Sequence, residues 1–366
     1  DLRMSRGLGD VYKRQATNLS YELNPANNPY VNLTARLGRT QSQVIESDGS
    51  GTLKDFIGLE SNYEYNITTL DIANTSLIKQ HTLTYGMQYS EKDRVGTKLS
   101  YPCLNLDMQT YQCIDYAEQA IQDEITSQPG GTQKRIGVYL QDEFTWQALT
   151  LPTGLRYEKY KTTATSSFAN SFNNLDTDVD HSQVVPALTA HYQINNQLAV
   201  FSSYQQGFRA PLIDELYDQY GGRDPALELK VENSTNKEIG ASYQNQNIFT
   251  NRDALTARVI YFKVKIDDEI QSNTNIATNP EPAARYNNSG ENQRDGIEFE
   301  INYAHTLGYT NFSYSRISGE NQNNEPLWYL PADKFALSSG LNFFNDVLKT
   351  GFNIQHVNDR TVLVSG

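Results

Sequence analysis

Alternation of apolar and polar residues, repeated in runs of about ten, is the feature that most restricts what this chain can fold into. In HTLTYGMQY, Leu83, Tyr85, Met87 and Tyr89 are apolar or aromatic, while Thr82, Thr84, Gly86 and Gln88 are polar or small. In GIEFEINY, Ile297, Phe299, Ile301 and Tyr303 alternate with Glu298, Glu300 and Asn302. In RIGVYLQDEFTW, Ile136, Val138, Leu140, Phe144 and Trp146 share a face. Similar runs start near Tyr30, Phe56, Leu149, Val184, Leu198, Ile239, Leu255, Leu307, Phe335 and Phe352, which predicts about thirteen strands. The one segment that reads as a short helix is DYAEQAIQDEI, residues 115–125.

The links between runs fall into two lengths. Trp146 to Leu149, Asn195-Asn196, His305 to Leu307 and Asn345 to Leu348 are short; 92–132, 162–181, 209–231, 267–293 and 319–332 are long and polar. Short and long links alternate, the layout of a transmembrane antiparallel β-barrel built as a meander. A soluble sandwich also alternates along its strands but does not sort its links by strand end. The topology therefore predicts Cys103, Arg209 and Asp268 on one rim and Asn195, His305 and Asp346 on the other. The alternation predicts Leu83, Tyr85, Ile297, Phe299 and Ile301 facing lipid, with Thr84, Glu298 and Glu300 facing a wet lumen.

Composition fits that layout. Hydrophobic residues make up 38% of the 366, with 24 Tyr and 14 Phe, and the mean hydropathy is -0.61. Tyr, Thr, Asn, Ser and Gln suit strands with one wet face. The net charge of -13 excludes a nucleic-acid partner. No stretch approaches 18 apolar residues, so no helix crosses a membrane.

Both ends stand apart. DLRMSRGLGDVYKRQ, residues 1–15, has no apolar h-region and is not a signal peptide. It resembles a translated sequencing-adapter read-through and is set aside as foreign, leaving residues 16–366 as one domain. The chain stops at Val364-Ser365-Gly366 just after a strand-like run and reads as an internal fragment.

In YQQGFRAPLIDELY, residues 204–217, the strand should stop near Arg209-Ala210-Pro211, because proline cannot donate to a sheet ladder. Here the chain resembles the TonB-dependent outer-membrane receptors. Phe208, Arg209, Ala210 and Pro211 match their FRAP box; Asp224, Pro225, Ala226 and Leu227 look like a degenerate NPNL box. ENSTNKEIG (232–240) is similar to their strand opening, and GVYLQDEFTW with LTLPTGLRYEKY resembles their mid-barrel hairpin. The resemblance covers roughly residues 16–366.

The resemblance implies a receptor of the bacterial outer membrane for energy-coupled import of chelated iron, not an enzyme. The family's barrel has 22 strands around a plug. The expected fragment lacks the plug, its TonB box, roughly six strands before Tyr30 and about three after Phe352, so its edge strands would be unpaired. The implied partners are the TonB-ExbB-ExbD complex, engaged through the plug, outer-membrane lipid and the ligand. FRAP with NPNL points to haem or a haem protein, carried as cargo with no permanently bound cofactor. A ferric-siderophore receptor and a passive porin are the alternatives. Haem receptors usually place a ligating histidine between the two boxes; LIDELYDQYGGR has none, and Tyr217 and Tyr220 are the obvious replacement ligands. Arg209 has two readings, contact with ligand or pairing with Asp214 or Glu215. His181 and His356 should lie towards the outside rim. Cys103 and Cys113 read as a disulfide in the longest outside loop, with a metal pair as the alternative. No G-x-S-x-G elbow, Cys/His dyad or H-E-x-x-H motif is present.

Overall fold

The computed structural model describes residues 11–48, 57–107, 109, 112–119, 121–124, 129–165, 177–218, 224–272, 286–327, 329–344 and 347–359. The strands are β1 (Val11–Leu23), β2 (Leu33–Asp48), β3 (Ile57–Ile78), β4 (His81–Asp107), β5 (Gln112–Tyr116), β6 (Ile121–Glu124), β7 (Gly131–Trp146), β8 (Leu149–Ala164) and β9 (Val179–Gln193). They continue as β10 (Leu198–Arg209), β11 (Glu232–Gln246), β12 (Ala254–Asp267), β13 (Ile270–Ser272), β14 (Tyr286–Asn288), β15 (Asn292–His305), β16 (Gly308–Asn321), β17 (Lys334–Phe343) and β18 (Leu348–Val357). One short helix, α1 (Ile213–Tyr217), follows β10.

Fourteen strands form one antiparallel meander in the order β1-β2-β3-β4-β7-β8-β9-β10-β11-β12-β15-β16-β17-β18. Strands β5 and β6 pair with β4, and β13 pairs with β14. The thirteen alternating runs are β2–β4, β7–β12 and β15–β18. The fourteenth strand, β1, includes Val11–Gln15, which pair with Ile45–Gln41 of β2. These five extend the ladder in register; residues 1–10 lie outside the described residues. The helix expected over 115–125 is corrected. Asp115-Tyr116 end β5 and Ile121–Glu124 form β6, because β4 runs on for 27 residues and offers an edge to pair with.

Links 24–32, 79–80, 147–148, 194–197, 247–253 and 306–307 lie on one rim, and the strand ends that lead into the longer polar links lie on the other. Cys103, Arg209 and Asp268 stand at the long-link rim, and Asn195 and His305 at the opposite one. Asp346 falls outside the described residues. His181 and His356 sit at the long-link ends of β9 and β18.

Register joins the apolar residues of neighbouring strands into one face. Tyr85 pairs with Leu140 and Met87 with Val138; Ala257, Val259 and Tyr261 pair with Ile301, Phe299 and Ile297. This face is open: Ile239 is 61% exposed and Leu140 48%. A water-soluble sheet would bury it, so the pattern belongs to a wall solvated by lipid. The opposite face carries the polar network. Gln88 donates to Asp71 at 2.5 Å, Arg156 to Gln88 at 2.7 Å, Arg135 to Glu158 at 2.5 Å, and Arg156 also to Glu158. A hollow of about 380 Å³ near the short-link rim is lined on this side by His191, Arg258, Glu300 and Asn302.

The 247–253 turn is held by Asp253, whose carboxylate accepts from the amides of Ile248, Phe249 and Thr250 at 2.7–2.9 Å and from the Tyr303 hydroxyl at 3.1 Å. Burial alone would push its pKa up; the four donors outweigh that and bring it down to about 2. An unfolded aspartate titrates near about 4. The turn therefore gains its full stabilisation above about pH 4 and loses it as pH falls through the folded value. Amide protection factors at Ile248–Thr250, corrected for the pH dependence of intrinsic exchange, should be high at neutral pH and fall between those two values; protection unchanged down to the folded value would refute the amide cage.

Candidate functional site

The main buried cluster of the described residues lies at the long-link rim, not within the barrel wall. It consists of Val179, Ile213, Leu216, Tyr217, Ala226, Leu229 and Ile270, flanked by Ala164, Leu227 and Tyr286. The described residues between β10 and β11 supply Ile213, Leu216, Tyr217, Ala226 and Leu229, the start of β9 supplies Val179, and β13 supplies Ile270. Burying each aliphatic side chain is worth about 1.5–3 kcal/mol, so the cap has a core of its own.

The break after β10 builds this cap. The ladder ends at Arg209, opposite Glu232, and Ala210 and Pro211 turn inward and are buried. Helix α1 then lies across β7 and β8. Gly131 leaves room for it, since a Cβ there would sit 2.8 Å from the Thr163 carbonyl oxygen and 3.1 Å from Ile213. Gln133 of β7 donates to the Pro211 carbonyl at 3.0 Å, and Arg94 of β4 donates to Asp214 at 2.6 Å. Arg94 is only 3% exposed while Asp214 is 40% exposed, so this charge-assisted bond joins a buried cation to a carboxylate that still meets solvent.

Arg209 is a clamp between strand and helix. Its Nε and Nη2 donate to Glu232 at 2.6 and 2.7 Å; its Nη1 donates to both oxygens of Glu215 at 2.9 and 2.8 Å. Glu215 also accepts from the Leu212 amide at 2.8 Å, which closes the start of α1. Glu232 accepts from the Ile270 amide at 2.7 Å and so ties in the next link. Of the two expected acidic partners, Glu215 pairs with Arg209 while Asp214 pairs with Arg94.

Tyr217 is fully buried, and its hydroxyl donates to the carbonyls of Thr177 at 2.6 Å and Thr162 at 3.1 Å. In this arrangement the phenol stitches the cap to β8 and presents no oxygen to solvent. Tyr220 falls outside the described residues. Phe208 is half-buried, edge-to-face with Tyr160 at 5.7 Å. Asp224 is exposed, Pro225 and Leu227 are half-buried, and Ala226 is buried in the cap. The second box joins α1 where the Ala226 amide donates to the Leu216 carbonyl at 2.7 Å, and the first box leads into the same helix.

Sequence reasoning missed Arg94, Gln133, Thr162, Thr177 and Glu232, which hold the cap. Beside it, Glu269 accepts from Arg294 at 2.8 Å and from the Tyr329 hydroxyl at 3.3 Å. Burial, and next the Glu269 carboxylate, push the Tyr329 phenol up.

Cys103 and Cys113 are bonded, with Cα atoms 5.8 Å apart, and staple β4 to β5 beyond the barrel. The bridge closes a short loop in a hairpin whose two strands pair through an irregular register. With Cys103→Ser and Cys113→Ser, protease cutting within 103–113 should rise more than about tenfold, while the heat resistance of the barrel stays unchanged. Equal cutting rates would mean that the hairpin is held without the bridge.

A sequence model of the family described as TonB dependent receptor-like, beta-barrel, matches residues 2–363. TonB-dependent heme receptor A of Haemophilus ducreyi is 29% identical over 331 residues, which cover 82% of this chain and 44% of that protein. The ferrioxamine B receptor of Salmonella typhimurium is 23% identical over 331 residues, covering 86% of this chain and 41% of its own. The chain spans less than half the length of these curated relatives. Among solved structures, the Serratia marcescens hemophore receptor HasR, in complex with its hemophore HasA and heme, superposes with a TM-score of 0.72 at 18% identity, covering 95% of this chain and 58% of that one. The fourteen-strand meander and a match over nearly the whole length lead to one conclusion: the chain belongs to the TonB-dependent receptor β-barrel family.

Proposed function

We propose that the complete protein is a bacterial outer-membrane receptor that imports chelated iron, with haem or a haem protein as its ligand. The observation that carries this reading is that Phe208–Pro211 lead directly into α1, and that Ala226 and Leu227 of the second box pack with α1 in one cap at the long-link rim. The similarity to a heme receptor supports the ligand class. Import through such a barrel takes energy from the TonB-ExbB-ExbD complex by way of a plug, and the cargo passes through without becoming a resident cofactor. With Tyr217 occupied inside the cap, the loops of this rim capture ligand through their surface, and Tyr220 is the phenol left to test as an iron ligand.

The similarity to a ferrioxamine B receptor favours a second reading, a ferric siderophore as cargo. The complete gene, expressed in an iron-starved host that cannot make siderophores, should restore growth on haem or haemoglobin and lose it when residues 217–223 are deleted. Growth on a ferric siderophore but not on haem would replace the first reading with the second.

A further inference from the structure

On the lipid-facing side, one row of register partners crosses six strands just above the apolar belt. It reads Leu188, Tyr204, Lys237, Lys263, Asp295 and Ser318, from β9 to β16. The row below it, towards the short-link rim, holds Ile239, Tyr261 and Ile297, all exposed. Lys237 and Lys263 are therefore directly opposed across β11 and β12, both exposed, where the apolar wall ends. Side chains so paired begin about 5 Å apart, so the two lysines repel, and Asp295, which faces Lys263 from β15, offsets part of that repulsion without forming an ion pair within 4.0 Å. Neighbouring lysines are neutralised: Lys265 lies 3.0 Å from both Asp267 and Glu291, Lys161 2.5 Å from Asp178, and Lys159 3.6 Å from Asp180. Among the described residues no carboxylate comes within 4.0 Å of Lys237 or Lys263, and the Lys237 ammonium has only the Tyr204 ring, 6.0 Å from its centroid.

We propose that Lys237 and Lys263 form a site for a phosphate group of an outer-leaflet lipid, with Tyr204 beside it as an apolar platform for the adjoining sugar. Two ammonium groups side by side at the end of a hydrocarbon belt match an anion anchored at the same depth by its own acyl chains. The phosphate converts their repulsion into a shared ion pair in a region where water is depleted and the attraction is strong. The proposal rests on the outer-membrane reading, which fractionation of wild type and variants tests separately.

The test uses the complete receptor extracted from outer membranes, comparing wild type with Lys237→Gln/Lys263→Gln, Lys237→Arg/Lys263→Arg, and Lys79→Gln at the opposite rim. Lipopolysaccharide retained per receptor after gel filtration should fall at least about threefold in the double Gln variant and be kept by the double Arg and Lys79→Gln proteins. In lipid-free detergent the double Gln variant should melt above wild type, because the opposed charges are gone. Bisphosphorylated lipid A should raise the wild-type Tm by several degrees and reverse that order, while dephosphorylated lipid A and inorganic phosphate should not. A shift of equal size with inorganic phosphate would mean a free-anion site. Equal retention in wild type and double Gln protein, or the same order of Tm with and without lipid A, would overturn the proposal.

Discussion

Tyr217→Ala in the complete receptor should destabilise the loop cap by about 3–5 kcal/mol, the usual cost of truncating a buried aromatic side chain to alanine. The ring sits among Ile213, Leu216, Ala226 and Leu229 with no exposed surface, so its removal leaves a cavity within that cluster. Tyr217→Phe keeps the ring and removes one hydroxyl. The carbonyls of Thr162 and Thr177 then lose their donor, at a cost of about 1–3 kcal/mol. Limited proteolysis of the 210–231 link should report this order, with alanine far more susceptible than phenylalanine and phenylalanine more than wild type. Iron-bound spectra separate packing from ligation. A stitching tyrosine predicts that Tyr217→Phe binds haem with the same absorption bands as wild type, in lower yield. A changed iron spectrum with an intact cap would make Tyr217 an iron ligand.

The barrel was legible because lipid on one side and water on the other impose a period of two on every strand. Thirteen runs found that way are strands, and Pro211 marks the end of β10 for the local reason that it lacks an amide hydrogen. Helix α1 left a trace, since Ile213, Leu216 and Tyr217 stand at i, i+3 and i+4, but five residues are too few for a period to register. Of the cap, only the Arg209–Glu215 pair was legible; its long-range contacts were not. Arg94 and Asp214 are 120 residues apart, and nothing local to either announces the other. Tyr217 was ambiguous for the same reason: exposed and buried loop tyrosines look alike in sequence, and the cluster that buries this one includes Val179 of β9 and Ile270 of β13, both distant in the chain. Glu232 was more accessible to reasoning. Once β10 and β11 are taken as antiparallel neighbours, register puts it opposite Arg209.

Phe299→Arg should cost about 2–4 kcal/mol in the complete receptor, because it would place a guanidinium on the lipid face near mid-membrane. The row across that position reads Ala241, Val259, Phe299 and Tyr314, and Phe299 meets Phe312 edge-on at 6.0 Å. Apolar partners stand on the rows above and below, Tyr261 with Ile297 and Ala257 with Ile301, so the guanidinium has no nearby water or carboxylate on that face. One residue along the strand the expectation reverses. Glu300 points to the polar face, beside Arg258 and Asn302, and Asn302 donates to it at 3.0 Å. Glu300→Gln keeps its shape and an acceptor oxygen, so a change under about 0.5 kcal/mol is expected, as for a solvated surface site. Urea unfolding of both variants in lipid vesicles measures the contrast directly. The two faces are distinguished only if the arginine is costly and the glutamine is not. A Phe299→Arg cost below about 0.5 kcal/mol would mean that the aromatic face meets water or protein, and the membrane-spanning assignment of β15 would fall with it.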